Sequence, residues 1–226
     1  MNILGNKEKI ATIIAIVFHV IGLAGILFYN IKVFAALSWL NMLLMLALII
    51  YTQKEITTGF AVFFISCFVV GIAVEIAGTS TGVFFGEYHY TDVLGYSIKH
   101  VPLIIGVNWF IVLFCAGVSI HMLTNNLQKE MSAVSPRWLK AIAIITDTAL
   151  LAVFFDWLME PAAIKLGFWQ WHGDGTVPFY NYVSWLVVSA ILAAVFYFCT
   201  FPKQNKFAVN LLLIQAMFFL LIRTFL

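Results

Sequence analysis

The sequence predicts an all-α polytopic membrane protein, a bundle of about seven transmembrane helices with its N-terminus in the cytoplasm. Hydrophobic residues make up 63% of the 226 positions and charged residues only 10%, which lies far outside the composition of soluble proteins. The apolar residues also occur in runs of about 20, the length that an α-helix needs to cross the hydrocarbon core. No polar segment is long enough to fold separately, so residues 1–226 are expected to form one domain.

Seven apolar runs give the predicted spans. In chain order they are 9–29, 33–52, 58–79, 102–123, 138–160, 179–200 and 206–225. The first run is too long for a signal peptide and lacks a small-residue cleavage site, so a retained span is expected. Two long loops interrupt the pattern, at 80–101 and 161–178.

The basic residues between the spans orient the bundle. One side carries eight of them: Lys7, Lys9, Lys54, Lys129, Arg137, Lys140, Lys203 and Lys206. The other side carries four: Lys32, Lys99, Lys165 and Arg223. Because segments rich in Lys and Arg stay in the cytoplasm, both long loops are expected outside. The net charge of +2 does not indicate a nucleic-acid partner, and membrane lipid is the expected surrounding.

The unusual polar residues of the spans all fall in the predicted outer leaflet. Glu75 lies near the end of the third span, and Asp156 and Glu160 lie near the end of the fifth. The last two are four residues apart and therefore share a helix face. Asn108 and Asn181 lie at the outer ends of the two spans that follow the long loops. Because an ionisable residue at membrane depth is costly, we interpret these side chains as a functional site.

Close helix packing is expected around Glu75. Cys67, Gly71 and Gly78 lie on the same helix face as this carboxylate, and small residues let two helices approach each other. Asp147 differs from the other acids, because it lies nearer mid-membrane and opposite Asp156. It is expected to be a structural hydrogen bonder.

Two segments of the chain share one set of spacings. Glu75 is followed eleven residues later by Gly-x-Tyr-x-Tyr at 86–90, and Asp156 eleven residues later by Gly-x-Trp-x-Trp at 167–171. Each loop then ends in Val-Pro, and a tryptophan follows seven residues after the proline: Val101-Pro102 with Trp109, and Val177-Pro178 with Trp185. Aromatic pairs also form interfacial belts. The matched spacings nevertheless predict two related halves around one site, each with a carboxylate and an aromatic wall.

The sequence indicates chemistry without a cofactor or a metal. The histidines have none of the spacings of a di-iron enzyme or a haem protein: His19, His89, His100, His121 and His172. The last span has no lysine for a retinal Schiff base, and no Gly-x-Gly-x-x-Gly motif follows a strand. A metal site in the loops, built from the loop histidines with Glu87, Asp92 and Asp174, is the alternative.

Carboxylates, aromatic rings and amides at membrane depth suit acid–base chemistry on a lipid-soluble substrate. A carboxyl group in a low-dielectric site resists ionisation and can donate its proton to a carbon–carbon double bond. Tryptophan and tyrosine faces would stabilise the resulting carbocation by about 2 kcal/mol or more when water is excluded. A second carboxylate could then orient and deprotonate an attacking water.

Two signatures in the sequence resemble a known family. The first comprises Glu75-x-x-Gly78-x-x-Thr81-Gly82, Phe85-Gly86-x-Tyr88-x-Tyr90, Val101-Pro102 and Trp109. The second comprises Glu160-Pro161, Gly167-x-Trp169-x-Trp171, Val177-Pro178, Asn181 and Trp185. Together they resemble the membrane family of carotenoid biosynthesis proteins that includes the CruF-type carotenoid 1,2-hydratases, over roughly residues 70–190.

The resemblance implies a cofactor-free hydro-lyase in the inner membrane of a prokaryotic cell. It would add water across the terminal C1–C2 double bond of an acyclic carotenoid end group. Glu75 and Asp156 are expected to face each other as catalytic acids, while Glu160 relays protons or holds the water. The expected substrate-binding residues are Thr81, Phe85, Tyr88, Tyr90, Asn108, Trp109, Trp169, Trp171, Asn181 and Trp185.

Two other functions remain open from the sequence. A lycopene cyclase-like enzyme would use the same acids and rings, but an alkene would capture the cation. A transporter for lipids or small solutes would be expected to show inverted repeats and helices broken at mid-membrane.

Overall fold

The computed structural model describes residues 3–130 and 136–226. The helices are α1 (Ile3–Phe28), α2 (Ile31–Ala36), α3 (Ser38–Thr52), α4 (Thr58–Thr81), α5 (Ile104–Glu130), α6 (Arg137–Lys165), α7 (Phe179–Phe198) and α8 (Lys206–Phe225). Four short strands lie in the loops: β1 (Tyr88–Tyr90), β2 (Ser97–Ile98), β3 (Val101–Pro102) and β4 (Trp169–Trp171). Within these ranges the fold is mostly helical.

Within the described ranges, six helices are long and apolar enough to cross a membrane, namely α1 and α4 to α8. This confirms an all-α, multi-pass membrane protein. The predicted span 33–52 differs, because it is divided at Leu37 into α2 and the shorter apolar helix α3. Asn30 caps α2, and the Phe34 ring packs where Gly25 of α1 has no side chain. The break thus lies close to a contact with α1, within a run whose hydropathy shows no interruption.

The central element of the bundle is α5. Its apolar window is 83% buried, whereas those of the other five long helices are less than half buried. Phe110 and Phe114 of α5 stack on each other with ring centroids 5.4 Å apart, and both contact Phe60 of α4 edge-on. Since the exposed sides of the outer helices are apolar, they suit contact with lipid.

One polar residue of α6 departs from its predicted role. Asp147, expected to be a structural hydrogen bonder, is exposed on the outer face of the helix. It makes no side-chain hydrogen bond to the residues that the structure describes. The helix also continues past Pro161 to Lys165, five residues beyond the predicted end of the span.

The two long loops meet at one end of the bundle, which we call the loop end. Strand β1 pairs antiparallel with β4, so that Tyr88 lies opposite Trp171 and Tyr90 opposite Trp169. The pairing extends through backbone bonds from His172 to Glu87 (2.9 Å) and from Thr91 to Phe168 (3.0 Å). Strands β2 and β3 form a second small hairpin. The loop end thus connects the segment after α4 with the segment after α6.

Candidate active site

A small cavity lies at the loop end between α4, α5, α6 and α7, beneath the β1–β4 ribbon. Its volume is about 20 Å³. It is lined by three acids, two amides, seven aromatic residues and two aliphatic ones: Glu75, Asp156, Glu160, Asn108, Asn181, Phe85, Tyr88, Tyr90, Trp109, Trp169, Trp171, Trp185, Ile105 and Met159. A single water molecule needs about 10–15 Å³ of such space. The cavity therefore has room for about one water between the carboxyl groups.

Glu75 is buried at the centre of a hydrogen-bond network. Its carboxylate accepts bonds from the Tyr88 hydroxyl, the Tyr90 hydroxyl (2.9 Å) and the Trp109 indole N–H (3.0 Å). The Trp109 ring fits here because Gly71 has no side chain, and a Cβ at that position would lie 2.6 Å from the ring. This confirms the close packing predicted from the small residues of α4. Three donors around one carboxylate stabilise its charged form.

The tyrosine closest to Glu75 is held as a donor. Tyr88 is 6% exposed. Burial raises its pKa well above the usual value, and the neighbouring Glu75 carboxylate raises it further. Its hydroxyl therefore keeps its proton and continues to donate to Glu75 at any physiological pH.

The second half of the site has two acids with different partners. Glu160 accepts the indole N–H bonds of Trp169 (3.0 Å) and Trp171 (3.2 Å) on one oxygen. Asp156, one turn earlier on α6, accepts a single bond from the Asn181 amide (3.0 Å). The matched spacings aligned Glu75 with Asp156, but the acid that accepts bonds from the aromatic pair is Glu160. Both acids are buried.

The aromatic residues of the two halves contact each other at matched positions. The pairs are Trp109 with Trp185 (ring centroids 3.9 Å apart, stacked), Tyr88 with Trp171 (5.0 Å) and Tyr90 with Trp169 (5.8 Å). The antiparallel β1–β4 ribbon relates the two strands by a local two-fold axis. The halves that the sequence predicted therefore surround one cavity.

The structure brings twelve of the thirteen predicted site residues to this cavity. Thr81 is the one that it places elsewhere: its exposed hydroxyl donates to the Ala77 carbonyl (2.6 Å) and accepts from the Val83 backbone N–H (3.2 Å), at the end of α4. Sequence reasoning missed Ile105 and Met159. Met159 follows Asp156 by three residues on the same helix face, a spacing that could have identified it.

The loop histidines do not form the alternative metal site. His89 and His172 contact each other on the exposed side of the ribbon, with 3.0 Å between Nδ1 and Nε2. Among the residues described here, no group of three or more histidine, cysteine or acidic side chains is placed to hold a metal ion.

Comparison with known proteins agrees with the resemblance seen in the sequence. Bisanhydrobacterioruberin hydratase from Haloarcula japonica is 26% identical over 155 residues, which cover 66% of this chain and 48% of that protein. The chain thus spans about half the length of this curated relative. No solved structure matched the chain. The family described as carotenoid biosynthesis protein matches residues 14–226. The match covers nearly the whole sequence, so the chain belongs to the carotenoid biosynthesis protein family.

Proposed function

We propose that the protein is a carotenoid hydratase that adds water to the terminal C1–C2 double bond of an acyclic carotenoid end group. The observation that carries this proposal is the convergence of three buried acids and six tyrosine and tryptophan rings on one water-sized cavity. Family membership and the hydratase activity in the name of the Haloarcula relative support it.

Asp156 is the proposed proton donor. Closely spaced buried carboxyl groups cannot all ionise, because their charges repel in a low-dielectric site. The proton remains on the acid whose charged form has the fewest hydrogen-bond donors. Glu75 has three donors, Glu160 has two and Asp156 has one. This donor count supports Asp156 as the acid that holds the proton.

The reaction then proceeds in two steps that balance. Asp156 transfers its proton to C2, which leaves the positive charge on the tertiary carbon C1. The rings around the cavity and the charged Glu75 stabilise this cation. Water attacks C1, and its extra proton passes to Glu160, which returns it to Asp156 one helical turn away. The product is a tertiary alcohol, and the acids regain their starting state.

Substrate entry requires part of the site to move, because a carotenoid end group is far larger than the cavity. The segment 82–86 offers a movable element. Gly82 (φ +68°) and Gly86 (φ +123°) flank it in conformations that favour glycine, and Phe85 between them lines the cavity. Val83 and Phe84 are exposed on the outside of the same segment. We therefore propose that the polyene enters from the bilayer beside α4 as Phe85 moves outward.

The access route is tested with Phe85→Leu, with Phe84→Leu as the control. A smaller side chain at the inner position should raise kcat/KM for the carotenoid about threefold to tenfold, since less apolar surface must be displaced. The control substitution at the exposed neighbour, Phe84→Leu, should leave kcat/KM unchanged. If Phe84→Leu changes kcat/KM as much as Phe85→Leu does, entry along this segment is contradicted.

The activity itself is tested by product analysis. The full chain in lipid nanodiscs would be incubated with an acyclic carotenoid in water labelled with heavy oxygen, and the pigments analysed by mass spectrometry. Hydration predicts a product heavier by one labelled water. A coloured isomer of unchanged mass would instead indicate the cyclase alternative. Glu55→Gln, in the exposed turn before α4, is the matched acidic control and should retain full turnover.

A further inference from the structure

Of the two amides that line the active-site cavity, Asn108 bonds to no other residue that the structure describes. It lies in the first turns of α5 and is 8% exposed, yet its amide atoms are not enclosed, so water can reach them. The other amide, Asn181, is held by its bond to Asp156 (3.0 Å). Because buried polar groups normally have a hydrogen-bond partner, an unbonded amide at a water-sized cavity indicates that the water bonds to it.

The other donors of the cavity are almost all bonded to the acids. Five aromatic side chains donate to Glu75 or Glu160, namely Tyr88, Tyr90, Trp109, Trp169 and Trp171. Besides the Asn108 amide, the cavity has one donor group that bonds to no described residue, the indole N–H of Trp185. The donor groups left free for a small molecule are therefore an amide from the first half of the site and an indole from the second.

These free groups match what an attacking water requires. A buried water typically makes about three hydrogen bonds, and the cavity has room for about one such molecule. Attack on C1 uses one lone pair of the water oxygen, so the other lone pair and both hydrogens need partners. The Trp185 indole can donate to the oxygen, while Glu160 takes one hydrogen. An amide can accept as well as donate, so the Asn108 oxygen can take the other hydrogen.

We propose that Asn108 positions the attacking water and thereby determines whether the carbocation is hydrated. The inference rests on the proposed hydration and names the residue that decides its outcome. A cation at C1 can add water, which forms the C–O bond and releases a proton to Glu160. Without a positioned water it can only lose a proton to a carboxylate. Loss from C2 restores the alkene, and loss from a methyl group on C1 gives an isomer with a terminal methylene.

Removal of the Asn108 amide should therefore separate the two steps of the reaction. Proton transfer from Asp156 to C2 does not involve this amide and should continue, whereas capture of the cation by water should fail. If Asn108 only supported the packing of the cavity, its replacement would lower both steps together. The ratio of the two steps therefore distinguishes a positioning role from a structural one.

The experiment measures both steps in deuterated water, with the full chain in nanodiscs and an acyclic carotenoid. Mass spectrometry gives the amount of alcohol and the deuterium in the pigments that were not hydrated, both recovered substrate and methylene isomer. In Asn108→Leu the ratio of alcohol to deuterated alkene should fall about a hundredfold, the cost of a reacting group misplaced by about 1 Å. In Asn108→Ser it should fall about tenfold, since a hydroxyl can still bond to the water from a greater distance. Asn210→Leu is the matched control: this amide of α8 donates to Thr12 outside the cavity, and the ratio should equal that of the wild type.

The outcomes distinguish this inference from the proposed hydration. If the wild type forms alcohol and both Asn108 variants keep its ratio, the role of Asn108 is overturned and the hydration stands. An equal loss of both steps in Asn108→Leu and in Asn108→Ser would also overturn that role. A wild type that forms neither alcohol nor deuterated alkene would overturn the hydration itself, and the inference with it.

Discussion

The two halves of the site have the same plan but differ in how their acids are bonded. In the first half, the tyrosines of β1 and Trp109 all donate to Glu75. In the second, the tryptophans of β4 donate to Glu160, while Asp156 has only an amide donor. One half therefore has a single buried carboxylate with three donors, and the other half divides three donors between two acids.

The difference indicates a division of roles. A carboxylate with three neutral donors is stabilised as an anion, which suits the binding of a developing cation. An acid with one donor, next to another acid, is suited to carry and release a proton. The additional acid of the second half thus provides a proton donor, which a symmetric pair of single carboxylates would lack.

The largest effect is expected from Asp156→Asn. This change removes the proposed proton donor and keeps the side-chain volume, so turnover should fall about a thousandfold, within the usual range for general acid catalysis. Carotenoid turnover in nanodiscs and infrared spectroscopy would measure the effect. The infrared band of a protonated carboxyl group should disappear in this variant and remain in Glu160→Gln. A protonated band that remains in Asp156→Asn would place the proton on another acid.

Glu75→Gln should have the next largest effect. The amide oxygen can still accept from the two tyrosine hydroxyls, but the NH2 group cannot accept from the Trp109 N–H. The amide also has no charge to stabilise the cation, so we expect a loss of about a hundredfold in kcat. The folded bundle should remain intact, as judged by circular dichroism. Should Glu75→Gln reduce turnover more than Asp156→Asn does, the proposed division of roles between the halves would be reversed.

Gly71→Ala tests the packing that holds the first half together. The added Cβ would lie 2.6 Å from the Trp109 ring and displace the indole from Glu75. We expect a destabilisation of about 1–3 kcal/mol and roughly a tenfold loss of turnover. Gly22→Ala is the matched control, since the nearest side-chain atom lies 3.8 Å away. Thermal unfolding should separate the two variants, and equal midpoints would contradict the packing argument.

The sequence predicted the convergence of the site but not which acid the second aromatic pair would contact. Composition and depth identified Glu75, Asp156 and Glu160, and all three line the cavity. Counting eleven residues back from Gly86 and from Gly167 aligned Glu75 with Asp156. Helix α4 ends six residues after Glu75, and α6 ends five residues after Glu160, because it continues through Pro161. Measured from the helix ends, Glu160 therefore lies within one residue of the position of Glu75, whereas Asp156 lies three residues from it.

Two other features left no recognisable pattern in the sequence. The division of span 33–52 is accompanied by the packing of Phe34 against Gly25, a contact between residues that hydropathy treats as ordinary span members. Strands β1 and β4 have only three residues each, which is too short for a period-two pattern to be recognised. Their pairing depends on contacts between loops that are 81 residues apart in the chain.

The smallest loss of turnover is expected from removing one hydrogen-bond donor in each half. These two variants compare the halves most directly. Tyr90→Phe leaves Glu75 with two donors, and Trp169→Phe leaves Glu160 with one. A hydrogen bond to a charged group contributes about 1.5–3 kcal/mol, but the remaining donors can partly compensate, so we expect losses of about threefold to tenfold in kcat. Trp169→Phe should cost more, because Glu160 must accept a proton with fewer donors to position it. Turnover measured for both variants would decide this, and a larger loss in Tyr90→Phe would show that the first half is the less tolerant one.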